Sequence, residues 1–104
     1  MDVSDALGEI KKEKMLSIAQ AKADFQKALS YKDDAGLYDG IAQCHSAQGA
    51  FDDAITFFGD AIEKDKENVC FLRHRADTYC KQRIFKKALE DLESALVFSR
   101  EDEE

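Results

Sequence analysis

Cys70, His74 and Asp77 stand at i, i+4 and i+7, so a helix would carry all three on one face, and Cys80 follows three residues after Asp77. Thiolate, imidazole and carboxylate are the groups that bind zinc, but zinc sites usually draw on more than one element and use tighter pairs than this run offers. The run is therefore read as an ordinary solvent-accessible helix face, with no metal and no cofactor. His45 is read as a partly buried histidine with one hydrogen bond rather than a pH sensor. Cys44 beside it is read as filling a small apolar gap. Asp33, Asp34 and Asp39 lack the alternating oxygen ligands and the glycine of a calcium loop. Asp33 and Asp34 read instead as the start of a helix. The chain has no HExxH, no GxSxG, no glycine-rich phosphate loop and only 2 histidines, so it is not read as an enzyme.

Composition narrows the partners. The 104 residues carry a net charge of −7, and that charge is segregated. Residues 1 to 70 hold 8 basic and 14 acidic groups, 71 to 87 hold 6 and 1, and 88 to 104 hold 1 and 7. Only the middle block attracts anions, and it lacks aromatic interleaving, so no nucleic-acid partner is expected. The 3 cysteines are an odd set without CxxC spacing, which suits reduced thiols in a reducing compartment. No window is apolar enough for a membrane span, and Met1 to Ile10 lacks the basic start and apolar run of a signal peptide. A cytoplasmic protein with no membrane partner is expected. With 44% apolar residues and no proline, the chain favours long uninterrupted helices.

The elements that must position any site announce themselves by repetition. Ala42, Gln48, Phe51, Ala54 and Ala61 recur 34 residues later as Ala76, Gln82, Phe85, Ala88 and Ala95. Apolar character recurs between them, as in Leu37/Phe71, Tyr38/Leu72, Ile55/Leu89, Phe58/Leu92 and Ile62/Leu96. A period of this length signals stacked supersecondary units. Leu37, Tyr38, Ile41, Ala42 and His45 share one helical face that ends at Gly49, a C-terminal stop. Phe51, Ala54, Ile55, Phe58, Ala61 and Ile62 mark a second amphipathic helix, with Asp52 and Asp53 complementing the dipole in its first turn. The unit then repeats from Asn68, read as an N-cap.

These paired segments resemble tetratricopeptide repeats. Ala42 and Ala76 match the small residue where the first helix of such a unit crosses the second. Ala54 and Ala88 match the one near the start of the second helix, and Ala61 and Ala95 the one against which the next unit packs. Phe51, Phe85 and Tyr79 match aromatic sites. The likeness covers residues 35 to 100, with departures: His45 replaces an aromatic, Arg83 replaces the turn glycine, and Lys66 and Arg100 stand where proline usually ends the unit. Upstream, Ala21, Phe25, Ala28 and Leu29 resemble a second helix offset by 33 residues from Ala54, Phe58, Ala61 and Ile62. Val3, Leu7, Ile10, Ile18, Ala21, Phe25 and Ala28 step by three and four, broken only around Lys14, which predicts one long helix over about Ser4 to Tyr31. The rival is a turn near Lys12 to Met15 that would make a third ordinary pair. The expected architecture is all-α: a single domain over 1–104, a solenoid of antiparallel helix pairs with about five helices. It comprises a long first helix or degenerate repeat (1–34) and repeats at 35–68 and 69–102.

The resemblance also implies where function would lie. The exposed side of each unit's first helix lines a concave face, which places Gly36, Asp39, Gly40, Gln43, Ser46 and Ala47 there, then Cys70, Arg73, His74, Asp77, Cys80 and Lys81. Of these, Asp39, Gln43, Ser46, Arg73, His74, Asp77 and Lys81 are the candidate contacts for a peptide or helix of a partner protein. The alternative is a solvated face on which Arg73 and Asp77 pair at i, i+4. The lysine, asparagine and arginine clamp of chaperone-binding relatives is absent. Its positions read Ala6, Ile10, Gly40, Cys70 and His74, so a chaperone C-terminal tail is not the expected ligand. Leu89, Leu96, Val97 and Phe98 form a second candidate surface, an assembly edge on the last helix. That edge suggests self-association, or a place in a longer repeat array.

Overall fold

The computed structural model describes residues 3–102, with side-chain environments for residues 5–100; Val3 of the first apolar face and the acidic run 101–104 lie outside the latter. Among the described residues there are five helices: α1 (Val3–Leu29), α2 (Ala35–Ala47), α3 (Phe51–Lys64), α4 (Val69–Lys81) and α5 (Phe85–Asp102). The fold is all-α. The pairs α2/α3 and α4/α5 are tight hairpins; α1 rests on α2, α3 on α4, and α2 touches α4 lightly.

The long first helix forms without a break. No glycine or proline falls between Gly8 and Gly36, so nothing turns the chain near Lys12 to Met15. At 1.5 Å per residue, the 27 residues of α1 reach about 40 Å, twice the span of the 13-residue α2 that it packs against. The N-terminal half of α1 therefore runs past the body, leaving Leu7, Ile10 and Leu16 exposed. The radius of gyration is accordingly 16.0 Å, against roughly 13 Å for a compact domain of about 100 residues.

Short polar caps set the hairpins. Asp34 caps α2 by accepting from the Gly36 amide at 2.8 Å, and Asn68 caps α4 by accepting from the Phe71 amide at 3.2 Å. The α2/α3 turn is a Schellman motif: Ala50 N–H reaches the His45 carbonyl at 2.9 Å and Gly49 N–H the Ser46 carbonyl at 3.1 Å, with Gly49 at φ 82°. The α4/α5 turn is built the same way. Ile84 donates to Tyr79 at 2.9 Å and Arg83 to Cys80 at 3.0 Å, so Arg83 takes the left-handed conformation, φ 63°, that glycine holds one repeat earlier. At Arg100, where proline would stop a unit, the helix continues to Asp102.

All six notch alanines are buried, at Ala42, Ala54, Ala61, Ala76, Ala88 and Ala95. A methyl group at these sites lets neighbouring helices approach closely, and Phe58 and Ile41 fill the space between them. Inside the second hairpin stands a pairing with no precedent in the first. Arg75 grips Asp91 through Nε at 2.8 Å and Nη2 at 2.7 Å, where the first repeat has Ile41 and Phe57. The Asp91 hydrogen bonds hold the Arg75 guanidinium above its usual pKa, against the opposing pull of burial.

At the loop end of the first hairpin, the Tyr38 hydroxyl donates to Asp33 at 2.7 Å and Lys64 pairs with the same carboxylate. The Lys64 contact, followed by the Tyr38 hydroxyl, holds Asp33 below the usual carboxylate range. Among the described residues, no helix is long and apolar enough to cross a membrane.

Candidate functional site

Residues of α2 and α4 that face the same side meet a third wall, α1. Phe25 of α1 lies flat over Gly40, so close that a Cβ there would stand 3.0 Å from the ring. Gly40 therefore lets α1 settle on α2, and beside this contact an open groove of about 380 Å³ runs between the two helices. Ile18, Ala21, Phe25, Cys44 and Ala47 make it mainly apolar, and Lys14 stands at its edge. Burial, opposed by Lys22, pushes the Cys44 thiol up, so the groove wall carries a protonated sulfur. At its far end, Lys22 donates to the Gln48 side chain at 2.9 Å and ties α1 to the end of α2.

A second, more polar hollow of about 140 Å³ adjoins the first and shares Gln43 and Ala47 with it. Ser46 of α2, Phe58 of α3 and His74, Asp77, Thr78 and Lys81 of α4 complete its lining. His74 and Asp77 in turn border a third hollow, with Cys70 and Arg73. The three form one strip across α1, α2 and α4.

Two of the expected contact residues require correction. Asp39 is buried, its side chain 8% exposed, and both carboxylate oxygens lie within reach of His74 Nδ1, at 2.9 and 3.1 Å. Gln43 donates to it as well, at 2.6 Å. Asp39 thus fastens α2 to α4, because a carboxylate out of water needs its lone pairs filled. Ser46 is likewise buried, at the floor of the second hollow; its hydroxyl pairs with that of Thr78 at 3.3 Å, and the Thr78 proton goes to the His74 carbonyl at 3.1 Å. Gln43, Arg73, His74, Asp77 and Lys81 do border the strip. Asp77 pairs with Lys81 at 3.4 Å rather than with Arg73, and Arg73 has no ion-pair partner among the described residues. On the proposed edge, Leu89, Leu96 and Val97 are exposed, but Phe98 turns inward and is half-buried.

Sequence reasoning missed the His74–Asp39 contact. Its signal was a carboxylate and an imidazole one period plus one residue apart on successive first helices. Among the described residues, no three histidine, cysteine or acidic side chains converge as metal ligands. His45 departs from its expected hydrogen bond: its ring stacks on Phe57, centroids 5.2 Å apart. Burial, reinforced by Lys22 and opposed by Asp53, lowers its pKa below 6.5.

No protein-family model matches this chain, and no curated protein matches it.

Proposed function

We propose that the chain is a tetratricopeptide-like adaptor of the cytoplasm, a non-catalytic scaffold that holds a peptide or helix of a partner protein along the strip from α1 to α4. The observation that carries this reading is continuity: an apolar groove opens directly into a polar hollow through Gln43 and Ala47. An apolar side chain of the ligand seats against Ile18, Ala21 and Phe25. Its carboxylate or backbone carbonyls meet Lys81 and the unpaired Arg73. Neither a chaperone tail nor a nucleic acid suits this surface, since the tail-gripping clamp is missing and the protein is acidic overall.

The test is comparative capture from cell extract. Ala47 is exposed, so Ala47→Trp plugs the junction without disturbing the core, while Arg73→Glu with Lys81→Glu reverses the polar end. A ligand of the strip is captured by the parent protein and lost by both variants. Retention by both defeats the reading.

A second reading, an assembly subunit that self-associates through α1 or the last helix, draws support from the exposed Leu89, Leu92, Leu96 and Val97 of α5.

A further inference from the structure

The fold covers one helix face in the first repeat and leaves its counterpart bare in the second. Phe58 of α3 is 1% exposed because α4 lies on it; Leu92, the equivalent residue of α5, is 45% exposed, and Leu89 and Leu96 beside it are 56% and 52% exposed. Phe85 extends the same stripe, so apolar residues step 4, 3 and 4 along one face, the spacing of a helix–helix seam.

That stripe is palindromic. Phe85 and Leu96 are equidistant from the midpoint between Glu90 and Asp91, and so are Leu89 and Leu92. Its flank is complementary to itself in charge. Lys86 and Glu93, seven residues apart on one side of the stripe, are both exposed, and neither makes an ion pair with a described residue. In an antiparallel pair, each flank meets the same flank of the other helix running backwards. Lys86 then falls beside the second copy's Glu93, offset by two residues or about 3 Å, within reach of a lysine side chain.

We infer that α5 is a dimerisation helix: it pairs antiparallel with α5 of a second copy about a two-fold axis through that midpoint, joining Phe85 to Leu96, Leu89 to Leu92 and Lys86 to Glu93. The second helix takes the position on α5 that α4 takes on α3. The contact is isologous and closes at two subunits. The inference gives the assembly reading its surface and register and rests on it; it does not depend on the groove.

Light scattering across a concentration series, with the 104-residue protein, tests it. A dimer is expected for the parent. Leu92→Glu is expected to yield a monomer with unchanged helical circular dichroism, because Leu92 is nearly half-exposed and its loss leaves the hairpin intact. Lys86→Glu alone places like charges together twice and raises the dissociation constant at least tenfold. Adding Glu93→Lys restores opposite charges and recovers most of that loss, a rescue that unspecific apolar association does not show. A monomer at every concentration overturns both the inference and the assembly reading. A dimer indifferent to Leu92→Glu, or a charge reversal without rescue, overturns the inference while assembly through another surface stands.

Discussion

The two hairpins share a frame and differ in filling. In α2/α3 the positions between the helices hold Ile41, fully buried, and Phe57, stacked on His45. In α4/α5 the same positions hold Arg75 and Asp91, locked by two short hydrogen bonds, with the guanidinium 5.9 Å from the Tyr79 ring centroid. The alanine notches, the polar caps of α2 and α4 and the turn hydrogen bonds are common to both. Backbone approach is thus set by the small residues, and either apolar contact or a two-pronged ion pair fills the remaining space. The seams differ as well. Phe25 of α1 meets the bare backbone of Gly40, whereas Phe58 of α3 meets the His74 ring, centroids 6.1 Å apart. A glycine in the first seam leaves the groove beside it; an imidazole in the second narrows the corresponding hollow and reaches Asp39.

The strongest break in the correspondence is expected at its buried phenylalanine. Phe58→Ala should cost about 4 kcal/mol in urea unfolding, and Leu92→Ala in dilute protein about 1 kcal/mol or less. Equal losses would mean that the two faces are not unequally covered. Next comes the ion pair. Arg75→Ala strands a buried carboxylate and should cost about 3 kcal/mol, whereas Arg75→Ile with Asp91→Phe, which copies the first repeat, should stay within about 1 kcal/mol of the parent. If the double change is as damaging as the single one, the fillings are not interchangeable.

Gly40→Ala forces the Phe25 ring aside and should cost about 2 kcal/mol, read as a lower denaturation midpoint. Turn substitutions come next and have opposite signs: Arg83→Gly should stabilise by roughly 1 kcal/mol and Gly49→Ala destabilise by a similar amount, since only glycine adopts positive φ freely. The smallest effect is one of pH. Folding lowers the His45 pKa, so the unfolded chain binds more protons at this site. Its contribution is complete above about pH 6.5 and is lost as pH falls toward the lowered native value. His45→Tyr, which imports the residue of the other repeat, should flatten that part of the stability profile; an unaltered slope would remove His45 as its source.

The frame was legible because it repeats. The alanines return at a fixed interval, Asp34 and Asn68 precede apolar runs as caps do, and the lack of glycine or proline between Gly8 and Gly36 foretold the length of α1. Arg83 was recognisable as a departure, but that it would hold the glycine conformation was not. The hydrogen bonds that close the turn, from Arg83 to Cys80 and from Ile84 to Tyr79, outweigh the local preference of one side chain. The contacts that differ between the copies were hidden. Arg75 and Asp91 lie 16 residues apart across a hairpin and match neither the repeat nor a single helix face. Asp39 was assigned to the open face because its position in α2 points there; the imidazole that seals it comes from α4. The groove was foreshadowed only by the small residues Gly40 and Ala47, since its other wall belongs to α1.

α1 is moored to the molecule along a single seam, that with α2. Elements held on one side detach ahead of those clasped on both, so amide hydrogens of α1 should exchange with solvent before those of α2, α3 and α4, each of which packs between two neighbours. The wall of the groove is therefore also a helix fastened from one side alone. Any guest lodged between α1 and α2 acts as a rivet, and its occupancy should be readable as slowed exchange along a helix that it touches only in part.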